Sequence, residues 1–317
     1  MPITWSNFPV KSLILAYLDL EARCNLRVCS KADKDLVDSS KFVPKKMLLT
    51  EMEGSMDPEK TIIRLDIDTF TIWFIGKNEK TRIERAWNEQ VMEMAEIKNE
   101  NRYDIFRRFI DRFLKNGTFE AQEVNIMFPT FGAGDHWTIK TSNLFLASPD
   151  PGRPAEWCLN WLRKVAPGTK LKELTVLADA LDGIAELPLV YDVTEKLHMT
   201  SSTDFGDEHL DRIKAKDLRL ATEEITEDGL KRALERFLHR NDPNCEFTIR
   251  TLFPEDFDPV TLIPEDVKFE KIEHEEFFGG HVFKLSHRRM LRFSFHLLQV
   301  FPEPKRRERD NHIMWPF

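Results

Sequence analysis

"ITEDGLKRALERFLHRNDPNCEFTI", from Ile225 to Ile249, holds one complete structural unit. Thr226 is placed to cap a helix, with Glu227 and Asp228 in the first turn, where carboxylates meet the positive end of the helix dipole. Leu230, Leu234, Phe237 and Leu238 then recur on one helical face. After "NDP" the pattern changes to "EFTI", in which Phe247 and Ile249 alternate as a strand requires. A single helix–strand pair cannot bury its apolar side alone, so this unit has to stack on others.

Comparable units lie upstream. Six strand patterns begin their apolar alternation at Val124, Leu144, Leu174, Leu197, Leu218 and Phe247. Helical patterns fill several of the gaps, one with Cys158, Leu159, Leu162 and Val165, another with Leu210 and Ile213. One strand and one helix per roughly 20–30 residues is the mark of a leucine-rich-repeat-like solenoid. No fixed Asn or Cys follows the L-x-L cores, so the expected fold class is α/β, an irregular leucine-rich-repeat-like strand–helix array. An ordinary doubly wound α/β domain is the alternative.

Working outward, "NRYDIFRRFIDRFLKNG" sets Tyr103, Phe106, Phe109, Ile110, Phe113 and Leu114 on one helical face and Arg107, Arg108, Asp111 and Arg112 on the other, with Gly117 as its stop. "TIIRLDID" and "TFTIWFI" alternate as strands, and helix–strand alternation is expected from about residue 80. Residues 39–60 are the plausible junction between the opening and the body. Beyond about residue 251 the rhythm fades. "FPEDFDPVTLIPEDV" reads as a surface loop, and "HVFKLSH", "MLRFSFHLL" and "HIMWPF" as short strands closing a sheet edge.

The opening stretch Asn7–Ser40 has a different character. Pro9 stands where a first helical turn tolerates proline, and Leu13, Ile14, Tyr17 and Leu18 follow at one-face spacing. Ala22, Leu26 and Cys29 suggest a second helix, and Ser30 with Asp33 forms a capping box for a third, containing Ala32, Leu36 and Val37. Helices of about 8–10 residues do not persist alone in water. Three of them expose more apolar surface than they can hide from one another, which points to a partner.

Composition narrows the function. The 317 residues carry a net charge of −8, which argues against a nucleic-acid binder. No apolar run approaches the ~18 residues that span a bilayer, and no signal peptide is visible, so a cytoplasmic or nuclear location without membrane contact is expected. The 4 cysteines fit a reducing compartment and read as small buried hydrophobes. "GAGDH" (Gly132 to His136) lacks a following helix and reads as a tight turn rather than a phosphate cradle. His281 and His287 lack ligand spacing, and "KRRERD" reads as an exposed loop. No nucleophile elbow, zinc helix or Walker lysine is present, so catalytic residues, metal sites and cofactors are all expected to be none.

The F-P pair, "LILAYLD", "LRVCSK" and "LVDSS" together resemble an F-box. Phe8 and Pro9 match the start, Leu13, Ile14, Leu15, Tyr17 and Leu18 the first helix, and Leu26 through Lys31 the second. The spacing after Pro9 is about two residues short, and Lys11 replaces the usual acidic residue. The resemblance implies that residues 1–45 form a three-helix module that docks on a Skp-type adaptor, and through it a cullin, using Phe8, Pro9, Leu13, Ile14, Tyr17, Leu18, Leu26 and Val28. An ordinary helical subdomain packed on the body is the bland alternative. Residues 46–317 in turn resemble a nematode type-2 F-box-associated domain, through Ile225–Ile249 and the closing "HIMWPF". Together these imply a non-catalytic substrate receptor of a Skp–cullin–F-box ubiquitin ligase that recruits a target protein. A ligase-independent binding scaffold or inhibitor is the alternative. The sequence assigns no target-contacting residue.

Overall fold

The computed structural model describes Leu15, Leu18, residues 20–40 and residues 43–302, apart from 55–56, 78–79, 88–89, 115–116, 128–130, 148–155, 179, 241, 243–244, 254–256, 273–280, 287–288 and 295–296. The chain divides into two compact units, residues 1–150 with 160–169, and residues 151–159 with 170–317.

The first unit opens with helices α1 (Leu20–Arg27) and α2 (Lys31–Ser39). Five strands follow, β1 (Lys46–Gly54), β2 (Asp57–Ile67), β3 (Phe70–Lys77), β4 (Lys80–Trp87) and β5 (Gln90–Lys98), each antiparallel to the next. Helix α3 (Arg102–Phe113) comes next, then β6 (Thr118–Glu120), β7 (Glu123–Met127), β8 (Thr138–Lys140) and β9 (Asn143–Ala147). Strand β7 lies parallel to both β1 and β9, while β6 and β8 pair in a separate two-stranded sheet.

Alternation explains which face is buried. Ile63, Leu65 and Ile67 of β2 sit beside Ile72 and Phe74 of β3, and all five are fully covered. The apolar stripe of α3 lies on this face, and Phe106 and Phe109 each meet Phe74 at 5.4 Å edge-on. The β2–β3 hairpin turns on Asp68, whose φ of 53° is tolerated by a short polar side chain. Its carboxylate also accepts the Lys46 N–H at 2.9 Å.

Two expectations are corrected here. Residues 39–60 are not a simple junction, because β1 and the start of β2 occupy most of them. The charge in "LLTEMEG" hid the strand: Glu51 is buried, and its carboxylate accepts the Tyr103 hydroxyl of α3 at 2.5 Å. Nor does helix–strand alternation begin at residue 80, since β4 and β5 prolong the meander. In β4 a register shift between Ile83 and Glu84 breaks the period, so that Thr81 on one side of it and Glu84 and Ala86 on the other are buried, and no clean alternation was there to read.

Below the meander, Trp137 packs edge-on against Phe106 at 6.1 Å and Phe119 at 5.6 Å, with Trp161 at 6.0 Å. Gly117 has φ +73° and lies directly against the Trp137 indole, so it clears space for the ring; it is not the expected stop of α3, whose C-cap is Leu114, three residues earlier.

The chain continues through α4 (Glu156–Leu162) into the second unit, β10 (Glu173–Leu177), β11 (Ala180–Leu181), α5 (Pro188–Tyr191), β12 (Lys196–Thr203), α6 (Asp207–Arg212), β13 (Asp217–Thr222), α7 (Glu227–Leu238) and β14 (Phe247–Arg250). Strands β10, β12, β13 and β14 are parallel neighbours in that order, with β11 beside β12. A 3-10 turn (Pro259–Leu262) leads to β15 (Phe269–Ile272), β16 (His281–Leu285), β17 (Arg289–Ser294) and β18 (Leu297–Pro302). Strand β18 returns antiparallel to β14, and β17, β16 and β15 extend outward from it.

All six repeat strands read from the sequence are present, as β7, β9, β10, β12, β13 and β14. So is the capped helix: the Thr226 hydroxyl accepts the Gly229 N–H at 3.1 Å and donates to Asp207 at 2.5 Å. Among the described residues eighteen strands face seven α-helices, so the architecture is mixed α/β but dominated by sheet. Three local readings change. The helix carrying Cys158 stops at Leu162, leaving Val165 bridged to Ile139. "MLRFSFHLL" is two strands, broken between Ser294 and Leu297. The Pro- and acid-rich stretch after residue 251 is packed, with Pro259, Leu262 and Ile263 buried and Phe253 and Phe257 within 4.8 and 5.3 Å of Phe293. Asp258 there caps the 3-10 turn by accepting the Val260 N–H at 3.0 Å. "FFGGH" and "HIMWPF" fall largely and wholly outside the described residues.

Candidate functional site

The opening module is built around its helix ends. Ser30 caps α2 in extended conformation, its Oγ accepting the Asp33 N–H at 3.1 Å and donating to the Asp33 carboxylate at 2.6 Å. At the other end the Ser40 N–H reaches the carbonyls of Leu36 and Val37. Arg23 of α1 is 3% exposed, although it occupies the middle of the helix. Its guanidinium donates to the carbonyls of Leu15 and Leu18 (3.2 Å for Leu18) and to the Ser40 hydroxyl at 2.9 Å. One buried cation thus ties the Leu15–Leu18 turn to α1 and to the end of α2. Burial pushes its pKa below the ordinary guanidinium value.

Sequence reading missed Arg23. The available signal was its position three residues after Leu20 and three before Leu26, on the line where an apolar residue is expected.

Of the residues assigned to adaptor binding, Phe8, Pro9, Leu13, Ile14 and Tyr17 lie outside the described residues. Leu18 and Leu26 are half-buried, and Val28 is 82% exposed in the turn after α1. Ala22, Leu36 and Val37 are also half-buried, so apolar surface remains accessible on both described helices. Leu15, in contrast, is fully buried and belongs to the module's interior. Cys29 corrects the reading of the cysteines as buried hydrophobes: it is exposed beyond α1, with its thiol directed at the Asn25 carbonyl, 3.2 Å away. Cys158 is buried, which raises its thiol to about 12, and Cys245 is half-buried and raised to about 11.

The remaining candidates are structural. "GAGDH" is a turn folded over an indole: a Cβ at Gly134 would meet the Trp137 ring at 2.8 Å, the Trp137 backbone N–H donates to the Gly134 carbonyl at 3.0 Å, and the indole N–H donates to the Asp111 carboxylate at 3.0 Å. His281 stands exposed on β16 near Phe283, and His287 lies outside the described residues, as does "KRRERD". Among the described residues no group of three or more His, Cys, Asp or Glu is placed to hold a metal ion. No described helix is long and apolar enough to cross a membrane.

The geometry of short capped helices presenting half-exposed aliphatic residues agrees with the comparison to known families: the F-box domain matches residues 5–45. The chain therefore carries an F-box domain at its start. No curated protein and no solved structure matches the chain. F-box domains bind Skp-type adaptors within ubiquitin ligase complexes, and F-box proteins are generally non-catalytic adaptors.

Proposed function

We propose that this protein is the non-catalytic substrate-recognition subunit of a Skp–cullin–F-box ubiquitin ligase, acting in the cytoplasm or nucleus. Residues 1–45 dock on the adaptor through Phe8, Pro9, Leu13, Ile14, Tyr17, Leu18, Leu26 and Val28, and residues 46–317 hold a target protein. The observation that carries this reading is the F-box at residues 5–45. The chain makes and breaks no bond. It raises the concentration of target lysines near the ligase's conjugating enzyme, and proximity supplies the rate.

The body fits a leucine-rich-repeat-like array best within β10 to β14, where parallel strands begin at Glu173, Lys196, Asp217 and Phe247 with α5, α6 and α7 between them. The helix–strand pair α7–β14 supports the resemblance to a nematode type-2 F-box-associated domain. The test is capture of the purified full-length chain on immobilised Skp-type adaptor. Stoichiometric capture that is lost in Leu18→Asp and Leu26→Asp, with the variants still folded by circular dichroism, supports the proposal. Absence of capture by the unaltered chain rules it out.

A further inference from the structure

Apolar side chains reach the surface of the second unit beside the start of α7. Leu252, just past β14, is 62% exposed, and Val260 in the 3-10 turn is 38% exposed. Between them in the chain, Phe253 and Phe257 are only half-buried. Their rings lie 5.0 Å apart, and both rest on Phe293 of β17, at 4.8 and 5.3 Å. Phe293 stands opposite Leu298, and Leu298 opposite Ile249, so the aromatic trio shares the sheet face that carries α7. The Thr261 hydroxyl donates to the Glu227 carboxylate at 3.0 Å, which joins the 3-10 turn to the first turn of α7.

The rim of this apolar patch is acidic. Glu227 and Asp228 open α7, Asp258 caps the 3-10 turn, and all three are exposed. The parallel ladder sets Ala221 of β13 opposite Arg250 of β14. The chain therefore leaves β13 for exposed Glu223 and Glu224 beside the place where it leaves β14 for Leu252. The carboxylates of Glu223, Glu224 and Asp228 make no hydrogen bond or ion pair among the described residues. No lysine or arginine occurs in residues 220–230 or 251–267. Arg250 alternates onto the opposite face from Ile249. Lys271 shares the face of the trio but stands two strands further out, on β15.

We infer that Leu252, Phe257 and Val260, ringed by Glu227, Asp228 and Asp258, form a docking surface for a segment of the target protein in which an apolar side chain is flanked by lysine or arginine. The inference rests on the substrate-receptor reading for its biological meaning. The exposed aliphatic and half-exposed aromatic groups call for an apolar side chain as their cover. The carboxylates around them select cations on either side of it. The same negative rim repels phosphate, which excludes a nucleic-acid strand or an anionic membrane as the occupant. Every group named lies at the surface, so the occupant reaches it without disturbing the core.

The experiment uses the full-length chain mixed with its adaptor and a fluorescein-labelled peptide with a central Phe between two pairs of lysines. Two control peptides carry Glu in place of every lysine, or Ser in place of the Phe. Fluorescence polarisation should show binding of the first peptide, weakening at high salt, and at least about ten-fold weaker binding of both controls. Leu252→Ser should weaken the first peptide about ten-fold. Asp228→Asn with Asp258→Asn should weaken it several-fold and flatten its salt dependence, because asparagine keeps the cap of the 3-10 turn and loses the charge. Glu96→Gln with Glu265→Gln removes the same charge elsewhere and should leave binding unchanged. Equal binding of the three peptides, equal loss in the two charge variants, or unchanged binding by Leu252→Ser overturns the inference. Adaptor capture is measured on the same samples. Capture retained while peptide binding is absent overturns the docking surface alone, whereas loss of capture in the unaltered chain overturns the ligase reading.

Discussion

Arg23 shows how one side chain can set the geometry of a binding module. Three acceptors from two different stretches of chain, the carbonyls of Leu15 and Leu18 and the Ser40 hydroxyl, converge on its buried guanidinium, so its removal takes a donor from all three at once. Arg23→Met should weaken adaptor binding about ten-fold or more by titration calorimetry, while the near-ultraviolet spectrum of the body stays unchanged. Arg23→Lys should restore only part of the affinity, because an ammonium lacks the planar fork. Unaltered affinity in Arg23→Met would remove Arg23 from the account. Glycines offer a second test at this scale. Gly117 and Gly168 have nearly equal φ, +73° and +77°, but a Cβ at Gly117 collides with Trp137, whereas at Gly168 nothing lies within 4 Å. Gly168→Ala should cost about 1 kcal/mol in urea unfolding and Gly117→Ala distinctly more, about 3 kcal/mol or above. The cysteines differ as sharply. Iodoacetamide should label Cys29 in the folded protein and spare Cys158, whose thiol is buried and raised to about 12, and peptide mass spectrometry reads both.

At the scale of elements, α7 carries the clearest lesson on what a sequence discloses. Its cap, first-turn acids and apolar face were legible because all are local, and each is found where the spacing puts it. Its tertiary fastenings were not. Asp207 of α6 accepts the Thr226 N–H at 2.9 Å and fills the space beside Gly229, so alanine at that glycine has no room. Arg289, 3% exposed on β17, donates to the carbonyls of Phe237, Leu238, Arg240 and Asp242, closing the end of α7 from about fifty residues away in sequence. Long-range capping of this kind leaves no periodic trace. The same holds for β1, whose buried Glu51 masks the strand period until Tyr103 is in place. At the C-cap of α7, His239 donates to the Asp266 carboxylate and to the Glu235 carbonyl, and both contacts raise its pKa above 6.5. The imidazolium is favoured in the fold, so this contribution is full below the ordinary imidazole value and fades as pH rises through the raised one. Asp266 is correspondingly lowered by His239, and its share fades as pH falls through that lowered value. Asp266→Asn should return the His239 midpoint toward its ordinary value in an NMR titration, and an unmoved midpoint would contradict the pairing.

Across the whole molecule, the six repeat strands and the opening module were readable because each rests on short-range alternation or helical spacing. Strands β2 and β3 of the meander were readable too, whereas β1, β4, β5 and the β17–β18 break were not, since they depend on which strands find each other. Of the residues proposed to meet the adaptor, the apolar identities were readable and Val28 is exposed, whereas Arg23, which ties the described helices together, disclosed itself only as a charge in an apolar position. The account depends on the first forty-five residues meeting a partner rather than closing on their own chain. Size-exclusion chromatography with light scattering, on an equimolar mixture of full-length chain and Skp-type adaptor, tests this directly. A single one-to-one complex that dissolves into separate species on Leu26→Asp with Val28→Asp is the predicted result; two separate peaks for the unaltered proteins would contradict it.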